Sequence, residues 1–257
     1  MCEFCIKHGE GKKWYLEASN YAEDMLSDMS RQKMIRTYFK EIYDGRDQIV
    51  QQLADLDKAP AVVKRFIRWK TVRNMKRNHW GQIVPIEDIE KIFEFINSIA
   101  RASCICRYLV RKEEKRYCYG ISMGPNGGKL AEIFSDLDAS FLTGPDSKGL
   151  ETISKEEALE QFRSYEKEGL CHSVWTFQTP FIGGVCNCDR PDCLAMTMSV
   201  THGIPVMFRA EYVAETDWDS CEGCRRCMKV CQFGAIGYSA GQKKSYIDPR
   251  RCYGCGI

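Results

Sequence analysis

CEGCRRCMKVC, residues 221–231, sets cysteines at 221, 224, 227 and 231 in the pattern C-x2-C-x2-C-x3-C. A cubane iron–sulfur cluster takes one thiolate for each iron, and a loop this short wraps three thiolates around one corner while the fourth points away. Zinc also accepts four thiolates, but its sites usually arrive as two separated pairs. The stretch therefore reads as a cluster-binding loop. It predicts that the chain ends in a small cysteine-rich module, with a boundary near residue 214.

Outward from that loop, RRCYGCGI at 250–257 begins a second C-x2-C with Cys252 and Cys255. Residues 212–257, with CQFGAI running on from Cys231 and YIDPRRCYGCG leading to the second motif, resemble the bacterial-type two-cluster ferredoxins of the [4Fe-4S] kind. The resemblance implies a small βαββαβ-type module, incomplete in this sequence, at 214–257. It also implies that the fourth cysteine of each motif serves the other cluster. By position, Cys221, Cys224 and Cys227 hold one cluster, while Cys252, Cys255 and Cys231 share the second. Each is then short of one ligand, and the register predicts two further cysteines beyond Ile257. Gln232 stands where the family has proline, a change expected to cost local rigidity and no ligand.

The whole chain has 257 residues, 15 of them cysteine, with 44% hydrophobic and 28% charged residues and a net charge of +2. That is an ordinary globular balance, and the bulk charge makes no case for nucleic acid. The opening MCEFCIKHGE lacks the apolar run of a secretory signal, and no segment reaches the roughly 18 apolar residues of a membrane span. A cytoplasmic location is expected. In a reducing compartment, clustered cysteines are metal ligands more often than disulfides.

A second group lies upstream: Cys104 and Cys106 in CICR, Cys118, and Cys186, Cys188 and Cys193 in CNCDRPDC. A C-x-C pair on an extended strand directs both side chains to one side, which suits two ligands of one centre. Soft thiolates favour iron–sulfur or zinc, and both remain open from the residues alone. The cysteine strings, their order and the capped helix between them are also similar to larger ferredoxin-domain proteins of anaerobic bacteria. That similarity implies a further metal centre, a third [4Fe-4S] cluster, with Cys106, Cys118, Cys188 and Cys193 as the leading ligands and Cys104 and Cys186 as substitutes. Arg107 is read as a donor to a cluster sulfur or as one half of a surface ion pair. Cys2, Cys5 and His8 form a C-x2-C-x2-H string that can grip one face of a metal. Cys171 and His172, adjacent on a strand, point to opposite faces, so Cys171 reads as a buried structural cysteine.

The fold class is α+β. Residues 1–102 form a mostly helical region, with helices over 20–45 (capped by Asn20 and Glu23), over 46–79 with a break near Pro60, and over 86–102. Residues 103–213 form a mixed α/β region: strands in CICRYLVRK, RYCYGISMG, HSVWTFQTP and IPVMFRAEYVAE, a cysteine loop after HSVWTFQTP, and one helix from Ser154 to Gly169. GPNGGK at 124–129 lacks the Ser or Thr and the glycine spacing of a phosphate loop and reads as a tight turn. No G-x-G-x-x-G follows a strand, so no dinucleotide site is visible. Residues 62–79 carry Lys64, Arg65, Arg68, Lys70, Arg73, Lys76 and Arg77 and no acid. Such a helix docks an acidic redox partner or an anionic membrane surface, or else lies solvated over its apolar stripe.

Three functions follow. The first is electron transfer through [4Fe-4S] clusters to or from a redox partner protein, with no catalytic residue required. The second is an oxidoreductase, or its subunit, whose upstream cluster reduces a substrate. The third is a binding protein with structural zinc upstream.

Overall fold

Strand pairing organises the chain around one seven-stranded sheet in the order β4-β2-β3-β6-β5-β1-β7. The strands are β1 Gly81–Val84, β2 Ser98–Ala102, β3 Cys118–Ser122, β4 Glu151–Ile153, β5 Cys171–Thr176, β6 Ile182–Cys188 and β7 Met207–Phe208. All neighbours are antiparallel except β1 and β7. The computed structural model describes residues 3–137, 142, 144 and 147–257. Helix and sheet are mixed throughout, as the α+β reading expects. Because β1 and β2 pair with β5, β3 and β4, the helical first hundred residues and the region after 103 share one sheet.

Helix α1 spans Glu3–His8. The apolar spacing over 20–45 gives a helix only in its second part, α2 (Met29–Asp44). Asp28 caps it, accepting from Ser30 N at 2.8 Å. Asn20, expected as the cap, spends its amide on the carbonyls of Trp14 and His8, at 2.7 and 3.0 Å, and pins a series of 3-10 turns instead. The break at Pro60 separates α3 (Arg46–Lys58) from α4 (Ala61–Asn78), because proline lacks the N–H a continuous helix needs. Helix α5 (Ile86–Phe95) stops well before 102. Ile96 and Ile99 continue its spacing of three, yet the residues from Ser98 pair as β2, a strand buried at every position but Arg101.

CICRYLVRK, expected as a strand, is helix α6 (Ile105–Arg111), with Cys104 at its N-cap. A short apolar run fits either period, and here Leu109 sits one turn after Ile105. The expected cysteine loop is largely strand β6. A side chain at Gly183 would meet Leu130 at 2.7 Å, so glycine there marks close packing and not a turn. GPNGGK is a 3-10 turn entering α7 (Gly128–Ser135). Of IPVMFRAEYVAE, only β7 pairs.

Helix α8 (Lys155–Lys167) forms where the capping signal predicts: Ser154 accepts from Glu157 N at 3.0 Å, and Gly169 adopts φ 87°. Such a cap contributes about 1 kcal/mol. α8 and α5 cover one sheet face, where Phe93 and Phe162 meet edge to face and Phe162 tilts against Tyr119. A second apolar cluster, with Ile35, Phe39, Phe134 and Phe177, joins α2 and α7. Past the sheet, α9 (Arg226–Val230) and the antiparallel hairpin of β8 (Ile236–Ser239) and β9 (Lys244–Ile247) complete the described chain. No described helix is long and apolar enough to cross a membrane.

Candidate metal centres

In the C-terminal module the backbone turns its N–H groups toward sulfur. Ser245 N donates to Cys221 Sγ at 3.4 Å, Ala235 N to Cys231 Sγ at 3.2 Å and Gly254 N to Cys252 Sγ at 3.4 Å. Donors to sulfur stabilise the thiolate form, and the amides of Ser245 and Gly223 lower the pKa of Cys221. Gly223 at φ 69° allows the first loop to pass Lys243 O, which a Cβ would approach at 2.0 Å. These thiols and amides suit a cluster whose sulfur ligands need both charge and hydrogen bonds.

The module is fastened to the sheet domain at several points. Ala210 N donates to Tyr253 O at 2.8 Å, and Arg209 reaches Pro249 O at 3.0 Å and lies over the Tyr253 ring. Phe233 stacks on Tyr253 with 4.1 Å between centroids. Gln232 donates to Gly169 O at 2.7 Å and accepts from Arg190 N at 3.0 Å. The residue that replaces proline thus ties the first motif to the sheet domain, so the expected loss of rigidity is offset by two bonds across the seam.

Cys171 belongs to that seam. Its thiol makes a hydrogen bond with Cys255 and lies near Cys231. The contact with Cys255, then burial, raises the Cys171 pKa well above its ordinary value, so Cys171 is the donor. The same bond lowers Cys255 to about 7. Cys171 is also the register partner of Cys188. His172 turns to the other face, with Nδ1 2.7 Å from Asn187 Oδ1 and its ring against Phe162. Sequence reasoning separated this pair by strand parity and treated Cys171 as structural. The proximity of Cys255 depends on how the module docks, which no local pattern encodes.

The upstream cysteines converge. Cys104 and Cys106 come from the start of α6, Cys118 from β3, Cys186 and Cys188 from β6, and Cys193 from the turn after it. All six line one partly open cavity of about 130 Å³, together with Ser103 and the aromatic side chains of Trp175 and Phe177. Cys118 and Cys186 stand 3.4 Å apart, and thiol contacts join Cys104 to Cys118, Cys106 to Cys193 and Cys188 to Cys193. Hydrogen bonds from Cys106 and Cys188 pull Cys193 well below the ordinary thiol range. Cys186 and Cys188 share one face of a strand as the C-x-C reading expects. Cys104 and Cys106, in contrast, lie at a helix start.

Arg107 is buried, so the surface ion pair gives way to a buried one. Its guanidinium reaches Asp189 Oδ1 at 2.5 Å, Asn187 O at 3.0 Å and Cys104 Sγ at 3.8 Å, and lies 4.1 Å over the Tyr117 ring. Ser103 Oγ is buried without a hydrogen-bond partner at the cavity wall. His79 lines the same cavity, stacked on Trp175 and Phe177. Its Nδ1 is 2.7 Å from Thr176 O, and burial lowers its pKa to about 4. A lone histidine after a basic helix carries no sequence signal for that place.

The N-terminal string does not gather in this way. Cys5 Sγ donates to Glu211 at 3.1 Å, His8 meets Phe4 edge to face, and Cys2 lies outside the described residues. Among the described residues, no three His, Cys, Asp or Glu side chains are arranged to hold a single metal ion. In the GPNGGK turn, Glu23 accepts from Lys129 N at 3.3 Å, so a carboxylate sits where a phosphate loop would hold an anion.

Residues 214–237 match a family model described as a 4Fe-4S binding domain. No curated protein and no solved structure matches the chain. The C-terminal segment is therefore an iron–sulfur domain of the [4Fe-4S] type.

Proposed function

We propose that the protein transfers single electrons between the C-terminal [4Fe-4S] module and a further iron–sulfur centre in the buried six-cysteine site. Such a centre, when bound, takes up and releases one electron without a proton-transfer residue. In the module the ligands are Cys221, Cys224 and Cys227 for one cluster, and Cys231, Cys252 and Cys255 for the second. In the sheet domain Cys104, Cys106, Cys188 and Cys193 are the ligands. Cys104 replaces Cys118 in this set because it is fully buried beside Arg107, while Cys118 is half-buried against Cys186.

The observation that carries this reading is the thiol contact between the two sites. Cys171 touches Cys255 on one side and is paired in register with Cys188 on the other. Directly opposed residues on adjacent strands have Cβ atoms about 4.5–5.5 Å apart. Few atoms therefore separate a ligand of the module from a ligand of the buried site.

The external partner in this reading is an acidic redox protein that docks on α4. No residue of α4 is buried, and Val62, Phe66 and Trp69 are exposed between its cations. Opposite charge speeds such encounters.

Iron, acid-labile sulfide and zinc per chain on anaerobically purified protein test the proposal, together with EPR spectra of the reduced sample. Iron beyond the module's share, with spectra broadened by interacting clusters, is the expected result. Zinc in the buried site, or magnetically isolated clusters, would sink it. The apolar cavity favours a second reading, in which a substrate reaches the buried centre. A change in the reduced spectrum on adding a small exogenous ligand such as cyanide would favour that reading.

A further inference from the structure

A [4Fe-4S] cluster takes four thiolates, and the buried site offers six. Two are in excess, and the strand register identifies them. Cys118 and Cys186 face each other directly across β3 and β6. Their sulfur atoms are 3.4 Å apart. One position along, Asn187 N donates to Tyr117 O at 2.9 Å. Tyr117 and Asn187 therefore occupy a hydrogen-bonded position of the ladder, and Cys118 and Cys186 the adjacent non-hydrogen-bonded one. At such a position opposed Cα atoms lie about 4.5 Å apart and side chains approach most closely. That span is within the ~4.4–6.8 Å that a disulfide bridges. Cys118 and Cys186 are half-buried, as is Cys106, whereas Cys104, Cys188 and Cys193 are buried, so it is the register and not access that singles out the pair. Thiol–disulfide exchange requires the access that half-burial leaves.

We propose that Cys118 and Cys186 are a redox-active dithiol, not cluster ligands, placed beside the site formed by Cys104, Cys106, Cys188 and Cys193. This rests on the reading of that site as an iron–sulfur centre. In the oxidised form one Sγ–Sγ bond joins the pair. Two electrons and two protons break it and leave two thiols, the electrons coming singly from a low-potential one-electron donor. In the reverse direction the two thiols reduce a low-molecular-weight disulfide. A thiolate attacks one substrate sulfur, the second protein thiol resolves the mixed disulfide, and the substrate leaves as two thiols carrying both protons. The pair thus converts one-electron delivery into two-electron chemistry. A cavity of about 130 Å³ suits a small disulfide in preference to a protein loop.

The test uses the full, iron-loaded chain under anaerobic conditions. Reduced protein is treated with 2-hydroxyethyl disulfide, quenched in acid with an alkylating reagent, and mapped by mass spectrometry. A second portion is then treated with two equivalents of reduced methyl viologen before the quench. The expected result is a Cys118–Cys186 disulfide after the first treatment and two alkylated cysteines after the second. The double variant Cys118→Ser, Cys186→Ser keeps the wild-type iron content and takes up two fewer electrons per chain. Loss of one cluster's iron in that variant makes the pair ligands and overturns the proposal. Absence of the 118–186 disulfide in the wild type overturns it equally, and this arm stands even if the variant does not fold. Iron confined to the module in the wild type overturns the reading of the buried site instead, a result separate from the mapping.

Discussion

Replacing Arg107 by methionine removes the buried positive charge nearest the six-cysteine site while keeping an unbranched apolar side chain. The guanidinium lies 3.8 Å from Cys104 Sγ. At that distance, with an effective dielectric constant near 20, a unit charge stabilises an added electron by about 4 kcal/mol. Asp189, 2.5 Å from the same guanidinium, cancels part of this. Taking half leaves ~2 kcal/mol, and at about 59 mV per tenfold change for one electron this is on the order of 90 mV. The sign is fixed: loss of a cation disfavours the reduced state, so the potential of the buried centre falls. The variant also leaves Asp189 and Asn187 O without their partner, at a cost of about 3–5 kcal/mol when a buried pair loses one member. The double variant Arg107→Met, Asp189→Asn recovers part of both effects. EPR-monitored redox titration reads the first effect, and the midpoint of anaerobic urea unfolding reads the second. An unchanged potential in a folded, iron-replete Arg107→Met protein would refute the placement of a redox centre at Cys104.

Three further outcomes follow from the seam and the surface. Gln232→Ala removes two interdomain hydrogen bonds of about 1 kcal/mol each, and faster hydrogen exchange is expected at Gly169, Arg190 and the residues after Cys231, with the sheet unaffected. Charge reversal at Arg65 and Arg68, both exposed on α4, slows reduction by an acidic donor protein several-fold at low salt and flattens its salt dependence; an unchanged stopped-flow rate would remove α4 from the docking site. In metal-free protein Cys255 alkylates with a midpoint near pH 7, and Cys171→Ala moves that midpoint up. Because the folded pKa lies below the unfolded one, Cys255 contributes stability that is present above its ordinary thiol value and is lost as pH falls through about 7.

The 4Fe-4S character of residues 214–237 was legible, because it is encoded in cysteine spacing over a few residues. So were α8, through Ser154 and Gly169, and the break at Pro60. The failures share one cause: short apolar runs with ambiguous period. CICRYLVRK alternates like a strand and folds as α6; Ile96 and Ile99 extend a helical spacing into β2. The cysteine loop expected after HSVWTFQTP is largely β6, where a Cβ at Gly183 would meet Leu130 at 2.7 Å. The six upstream cysteines could be named from sequence as one group, but the contact of Cys118 with Cys186 could not, since it depends on strands meeting across 68 residues of chain. Cys171 is buried as expected, but its contact with Cys255 was not legible for the same reason: that partner belongs to another module.

Strand parity explains why the thiols meet at all. On β5, Cys171 and Ser173 share a face; on β6, Cys186 and Cys188 share the face they oppose; on β3, Cys118 joins them. The intervening residues, Tyr119, His172, Val174 and Val185, turn to the other side, where Phe162 packs on both Tyr119 and His172. A one-residue slip of β6 would reverse every side chain on that strand, driving Cys186 and Cys188 into the apolar layer and Val185 into the thiol cavity. The packing of α8 against Tyr119 and His172 therefore does more than stabilise the sheet. It fixes the register that sets Cys118 opposite Cys186 and Cys171 opposite Cys188. Phe162→Ala, which empties a fully buried ring position, is expected to cost about 3–5 kcal/mol, and the iron content of the buried site should fall before that of the module, since Cys188 lies on β6 whereas none of the module's cysteines lies on the seven-stranded sheet.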